Sequence, residues 1–216
     1  GQEFSTIGSG NHGNVFEVPN VIDEGAVPNG RWDLLINSWI PTNLDSTGQQ
    51  ALIQLNHPTI DGSPNDKEYG RDDFAGGDPA WIAALDARAE LINIINGPSH
   101  QGSSPGRPSE SEYRRYLNLG FHLAPTADQD NHRADWGSVV DTRTAVIAES
   151  LTKANVLAAL RARNVYASED RDLKLIPRIG GHLIGTIASG ASIPAVGAAI
   201  PVTVEISDSG EPTASY

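Results

Sequence analysis

Apolar runs in this chain are short, and most of them end abruptly in polar residues. Val15-Phe16-Glu17-Val18 predicts a short strand before a turn at Pro19-Asn20. Trp32, Leu34, Leu35, Ile36, Trp39 and Ile40 crowd the segment Arg31 to Ile40, which predicts a short helix ending at Pro41. Ala51-Leu52-Ile53-Gln54-Leu55 reads as a buried strand that stops in Asn56-His57-Pro58. From Thr59 to Pro79 the chain is polar and has no apolar period, so a long surface loop is expected. Asp78-Pro79 supplies a helix start, Asp as N-cap and Pro in first position. The helix Ala80 to Arg88 then leads into a strand at Leu91-Ile92-Asn93-Ile94-Ile95.

A second loop rich in Gly, Ser and Pro runs from Asn96 to Pro108. Ser109-Glu110-Ser111-Glu112 opens a helix through Leu119, with acidic residues in the first turn where the helix dipole favours them, and Gly120 stops it. Phe121 to Ala124 predicts a strand leading into Pro125-Thr126-Ala127-Asp128-Gln129-Asp130-Asn131-His132. Arg143 to Glu149 reads as another strand, and Thr152 caps a helix from Lys153 to Arg163. After Tyr166 the pattern changes to alternation in Leu173-Lys174-Leu175-Ile176 and Pro201-Val202-Thr203-Val204-Glu205-Ile206, which suggests antiparallel β structure. The alternation of strands and helices before that point predicts an α/β domain over residues 1–172, and a β-rich segment follows over 173–216.

Composition narrows the function classes. A length of 216 residues suits one sizeable domain with a small appendage, and 38% apolar residues with 22 glycines fit a loop-rich globular protein. The net charge of −12 argues against nucleic acid or an anionic membrane surface as main partner, and no apolar run is long enough to span a bilayer. With no cysteine, any metal must be held by nitrogen and oxygen ligands. The chain also lacks methionine, which leads us to expect a processed or partial chain. Together these points lean towards a secreted or periplasmic protein.

Candidate ligands recur where apolar strands end: Glu3, His12, His57, Asp130 and His132. In an α/β fold of parallel or barrel type the strand C-termini share one face, where sites gather. Such a set could serve one to three metals that acidify a bound water and polarise a phosphoryl or acyl oxygen. Asp130 and His132 stand two apart, which in extended backbone puts both on one side. The plainer reading of that stretch is a polar turn, in which Asp and Asn bond their own backbone. Taken alone, Glu3 and His12 read better as exposed residues, whereas His57, held extended ahead of Pro58, reads as a ligand. His122 reads as a hydrogen-bonded wall residue, and His100 and His182 as turn or surface histidines, His100 with a second reading in a substrate pocket. Arg143, Arg133 and Lys67 could meet an anionic substrate, although surface cations are usually solvated charges.

These motifs resemble those of the PHP superfamily of metallohydrolases (polymerase and histidinol phosphatase type), in particular the carbaryl-hydrolase-related branch. Gly1-Gln2-Glu3-Phe4-Ser5 resembles that branch's strand-end glutamate, and Asn11-His12-Gly13-Asn14 and Leu55-Asn56-His57-Pro58 resemble its following histidines. Thr126 to His132 resembles the late Asp-x-His, with Asp130 keeping the spacing and Asp128 as the alternative. Arg143 to Val146 and Ala158 to Ala167 follow the family's closing strand-helix-strand pattern. The resemblance covers the family's C-terminal two-thirds, and none of the six histidines forms the family's early His-x-His. It implies a partial, distorted (β/α) barrel binding Zn, Mn or Fe, a small ester substrate, phosphorylated or not, and a companion N-terminal piece carrying the missing ligands. The expected activity is metal-dependent hydrolysis. The rival expectation is a non-catalytic binding or structural module on a degenerate scaffold.

Overall fold

The computed structural model describes residues 2–4, 12–23, 25, 27–28, 31–58, 78–97, 107–108, 110–131, 134–138, 140–188, 192–193 and 199–210. The loop predicted over Thr59–Pro79 falls almost wholly outside these residues, as does most of Asn96–Pro108. The chain divides into two compact units, Gly1–Ile94 with Ser109–Leu123, and Ile95–Pro108 with Ala124–Tyr216.

In the first unit, β1 (Gln2–Phe4) pairs antiparallel with β2 (His12–Phe16), and β2 pairs antiparallel with β3 (Leu52–Asn56). β3 then pairs parallel with β4 (Ala89–Asn96), whose last two residues belong to the second unit. The β3–β4 step, which a helix spans, has the parallel geometry that strand-helix alternation predicts. The barrel expectation is therefore corrected: among the described residues the sheet is mixed and open, and no barrel closes. The physical reason lies in β1 and β2. Alternation of strands and helices says nothing about which neighbour a strand meets, and here two antiparallel strands occupy the edge that barrel closure would need free.

Register assigns each side chain to a face. Phe4 opposes Gly13, Val15 opposes Ile53 and Gly13 opposes Leu55, so these residues share the core-facing side. Trp32 lies against that side, edge-on to Phe4 at 5.2 Å between ring centroids. A Cβ on Gly13 would collide with the Trp32 ring and stand 3.0 Å from the Gln54 carbonyl, so this position has room only for glycine. The opposite face carries Glu3, His12, Asn14, Gln54 and Asn56.

Trp32 opens a helical segment that differs from prediction. α1 (Trp32–Leu34) passes through a π-turn at Leu35–Trp39 into α2 (Ile40–Asn43), so the helix continues beyond Pro41. The Ile40 N–H donates to the Leu35 carbonyl, five residues back, and this widened turn absorbs the bond that Pro41 cannot donate. Leu35, Ile36 and Ile40 are thereby all buried. α3 (Pro79–Asp86) begins as predicted, with the Asp78 carboxylate accepting from the Ala80 and Trp81 N–H groups. α4 (Glu110–Asn118) ends before Gly120, whose φ of +99° is the left-handed conformation that favours glycine. Phe121 to Leu123, predicted as strand, are not strand, although Phe121 and Leu123 are buried in the core.

In the second unit, β5 (Arg107–Pro108) pairs antiparallel with the end of β4. β6 (Ala124–Asp128) begins three residues later than predicted. β7 (Arg143–Val146) and β8 (Val165–Ser168) pair antiparallel and are connected through α5 (Lys153–Arg161), which Thr152 caps. The Thr144 hydroxyl donates to the Ala127 carbonyl at 2.8 Å and accepts from the Ala127 N–H at 2.9 Å, tying β7 to β6. The predicted antiparallel tail is a sheet of β9 (Lys174–Ile179), β10 (His182–Leu183) and β11 (Val202–Ser207) in the order β10-β9-β11, with α6 (Ile184–Ala188) after β10. Gly180 and Gly181, at φ +59° and +84°, form the two-residue turn between β9 and β10. Among the described residues no helix is long and apolar enough to cross a membrane.

Candidate metal centre

Glu3, His12 and His57 converge in the first unit, with one potential ligand atom of each lying within 4.8 Å of the others. Sheet register explains two of the three. Glu3 opposes Asn14, so His12, two residues before Asn14, is its diagonal neighbour on the same face. The His12 Nδ1 and a Glu3 carboxylate oxygen are 3.0 Å apart.

His57 needs a further device. His12 opposes Asn56, so strict alternation would send the next side chain, His57, to the core-facing side. Instead the chain bends at His57, which adopts φ +29°. Its ring stands edge-on to His12 at 4.8 Å between centroids. The expectation that Pro58 holds His57 extended is thus corrected. The left-handed turn is what returns the imidazole to the face carrying Glu3 and His12. Glu17, His57, Asp130 and Arg163 are the described non-glycine residues with positive φ, and two of these four are candidate ligands. Such conformations persist where neighbouring structure enforces them, and they gather at functional sites.

Two imidazoles and one carboxylate suit Zn or another borderline divalent ion and leave coordination positions for water or substrate. Ligand atoms around a tetrahedral ion at about 2.1 Å stand about 3.4 Å apart. The Glu3–His12 separation of 3.0 Å is already close to that, and the His57 ligand atom lies within 4.8 Å of both.

Asp130 lies in the second unit, beyond the end of β6, at φ +46°. Asp130 therefore does not have the extended backbone that the same-side argument for Asp130 and His132 assumed. Asp130 accepts a hydrogen bond from the Asn96 side-chain amide at 3.2 Å. His132 and His100 lie outside the described residues. The Arg143 guanidinium donates to the carbonyls of Gly137, Val140 and Thr142, so it ties together the loop before β7. His122 is ring-bonded to Asp86, its Nδ1 standing 2.9 Å from the carboxylate.

Sequence reasoning missed a second group that could hold a metal ion, Asp170, Asp172 and Asp208. These carboxylates have local work. Asp170 accepts from the Asp172 and Leu173 N–H groups, Asp172 from the Ser209 hydroxyl and Asp208 from the Gly210 N–H. They are turn-forming aspartates of the kind that bond backbone two residues on. The spacing Asp170-x-Asp172 was visible in sequence, but the approach of Asp208 depends on β11 pairing with β9.

No family model matches this chain, and neither a curated protein nor a solved structure matches it.

Proposed function

We propose that the protein is a metal-dependent hydrolase of small esters, phosphoesters in the first instance, with Glu3, His12 and His57 holding a divalent Zn, Mn or Fe ion. The convergence of these three side chains from β1, β2 and the bend after β3 carries the reading. When bound, such an ion supplies a nucleophile by acidifying water and polarises the scissile phosphoryl or acyl oxygen. Glu3 contributes the negative charge that offsets the cation, and the neutral imidazoles supply the nitrogens. Beneath them the Gln54 side-chain amide donates to the Asn56 oxygen at 2.9 Å, which satisfies two buried polar groups on the same face and stiffens its floor. The proposal that Asp130 and His132 add ligands rests on the Asp-x-His spacing and the PHP resemblance, and the barrel forms no part of it.

The non-catalytic module remains the second reading. The Glu3–His12 contact favours it, since a carboxylate–imidazole pair at 3.0 Å is satisfied without an ion. Turnover of p-nitrophenyl phosphate and its diester, with Zn or Mn added, separates the two. Metal-dependent turnover that disappears in His57→Ala supports the hydrolase. Absence of stoichiometric metal, with no turnover on phosphate or carboxylate esters, selects the module.

A further inference from the structure

We propose that the outer edge of β11 pairs antiparallel with the same edge of a second copy of this chain, about a twofold axis at Val204. β11 is an end strand of the sheet β10-β9-β11, and all 6 of its residues are exposed. Val202, Val204 and Ile206 alternate along one face at 65%, 46% and 50% exposure, across from Ile179, Pro177 and Leu175 of β9. Among the described residues no strand pairs with the outer edge. An apolar strand left open along its edge is a template for another strand.

The ladder with β9 fixes which backbone groups point outward. The Gly180 N–H donates to the Pro201 carbonyl at 2.8 Å, so these two residues form a hydrogen-bonded pair. Bonded and non-bonded pairs alternate along an antiparallel ladder, so Thr203, Glu205 and Ser207 bond to β9. The N–H and C=O groups of Val202, Val204 and Ile206 therefore face the open edge. Pro177 fits this frame, because it opposes Val204 at a non-bonded pair, where its missing N–H takes nothing from β11.

These outward groups select both the partner and the register. Two β11 strands paired around Val204 set Val202 of one copy against Ile206 of the other, and Val204 against itself. Every outward N–H and C=O then has a partner, and apolar side chains meet apolar side chains. Glu205, the charged residue of the strand, comes to lie opposite Thr203. Its charge is matched by Arg178 of its own chain, 3.9 Å away, so the seam sets no like charges directly against each other. A register centred on Glu205 would put the two carboxylates face to face, and one centred on Thr203 would leave Ile206 unpaired. Because one surface meets itself, the assembly closes at two copies.

Sedimentation equilibrium of the full chain across a range of concentrations reads the dimer, and cysteine crosslinking reads its register. Val204→Pro removes an N–H that β9 does not use, so the sheet is kept while the central pair of the seam is lost. It is expected to raise the dimer dissociation constant by about tenfold or more, with far-UV circular dichroism unchanged. The chain has no cysteine of its own, so introduced thiols report only on the seam. Val204→Cys alone is expected to form a disulfide-linked dimer on mild oxidation, since the Cα atoms of a hydrogen-bonded pair stand about 5.5 Å apart, within disulfide reach. Val202→Cys and Ile206→Cys are expected to crosslink when mixed and not when alone. A chain that stays monomeric at every concentration, growth into open fibres, or equal crosslinking by each single-cysteine variant overturns the proposal. Should Val204→Pro lose its fold, the crosslinking pattern decides by itself.

Discussion

Replacing His57 by glycine and, separately, by alanine turns the left-handed turn after β3 into a sign test. Both substitutions delete the imidazole and its ring contact with His12, so their difference isolates the backbone. At an ordinary extended position glycine is less stable than alanine by about 0.5–1 kcal/mol, because its unfolded chain is freer. At φ +29° the Cβ of alanine is strained, and left-handed backbone costs a non-glycine residue about 1–2 kcal/mol. The difference leaves His57→Gly more stable than His57→Ala by about 0.5–1 kcal/mol. In a domain of this size that separates the melting temperatures by about 2 °C. Urea denaturation of the metal-free variants measures it, with zinc content determined alongside. Both variants should lose zinc. An alanine variant more stable than the glycine variant would refute the left-handed turn, and with it the explanation of how His57 reaches the face of Glu3 and His12.

Two other outcomes follow from the structure. Asp78→Ala removes the acceptor for the first N–H groups of α3 and should destabilise the protein by about 1 kcal/mol in denaturant titration, without changing zinc content. Burial holds the Tyr113 phenol above its usual pKa while its hydroxyl donates to the Leu123 carbonyl. A raised folded-state pKa gives stability that is complete below the unfolded value of about 10 and is lost as pH climbs through the folded value. Tyr113→Phe should therefore show a shallower alkaline loss of stability above about pH 10, measured by denaturation across pH.

Local structure was legible where local chemistry decides it. Asp78-Pro79 and Thr152 start helices because their side chains cap the next N–H groups, and Gly120 ends one because it reaches φ +99°. The apolar block ending at Asn56 was legible as buried strand, and the alternation in β9 and β11 as antiparallel sheet. Phe121 and Leu123 misled because core burial of irregular backbone resembles a strand in one dimension. Pro41 misled because the π-turn that accommodates it depends on Leu35, Ile36 and Ile40 all seeking the core. The gathering of Glu3, His12 and His57 was expected from strand ends sharing one face, but the route by which they meet was not legible. It depends on β1 and β2 pairing antiparallel and on a backbone reversal that the proline rule speaks against. Long-range pairing of that kind leaves no local mark.

X-ray absorption at the zinc edge, on protein loaded with one equivalent of Zn2+, addresses the central claim most directly. Capture by Glu3, His12 and His57 predicts two imidazole ligands with Zn–N distances of about 2.0–2.1 Å and the outer-shell scattering of histidine rings. The aspartates at 170, 172 and 208 would give oxygen ligands alone. An all-oxygen first shell without imidazole scattering would contradict the assignment.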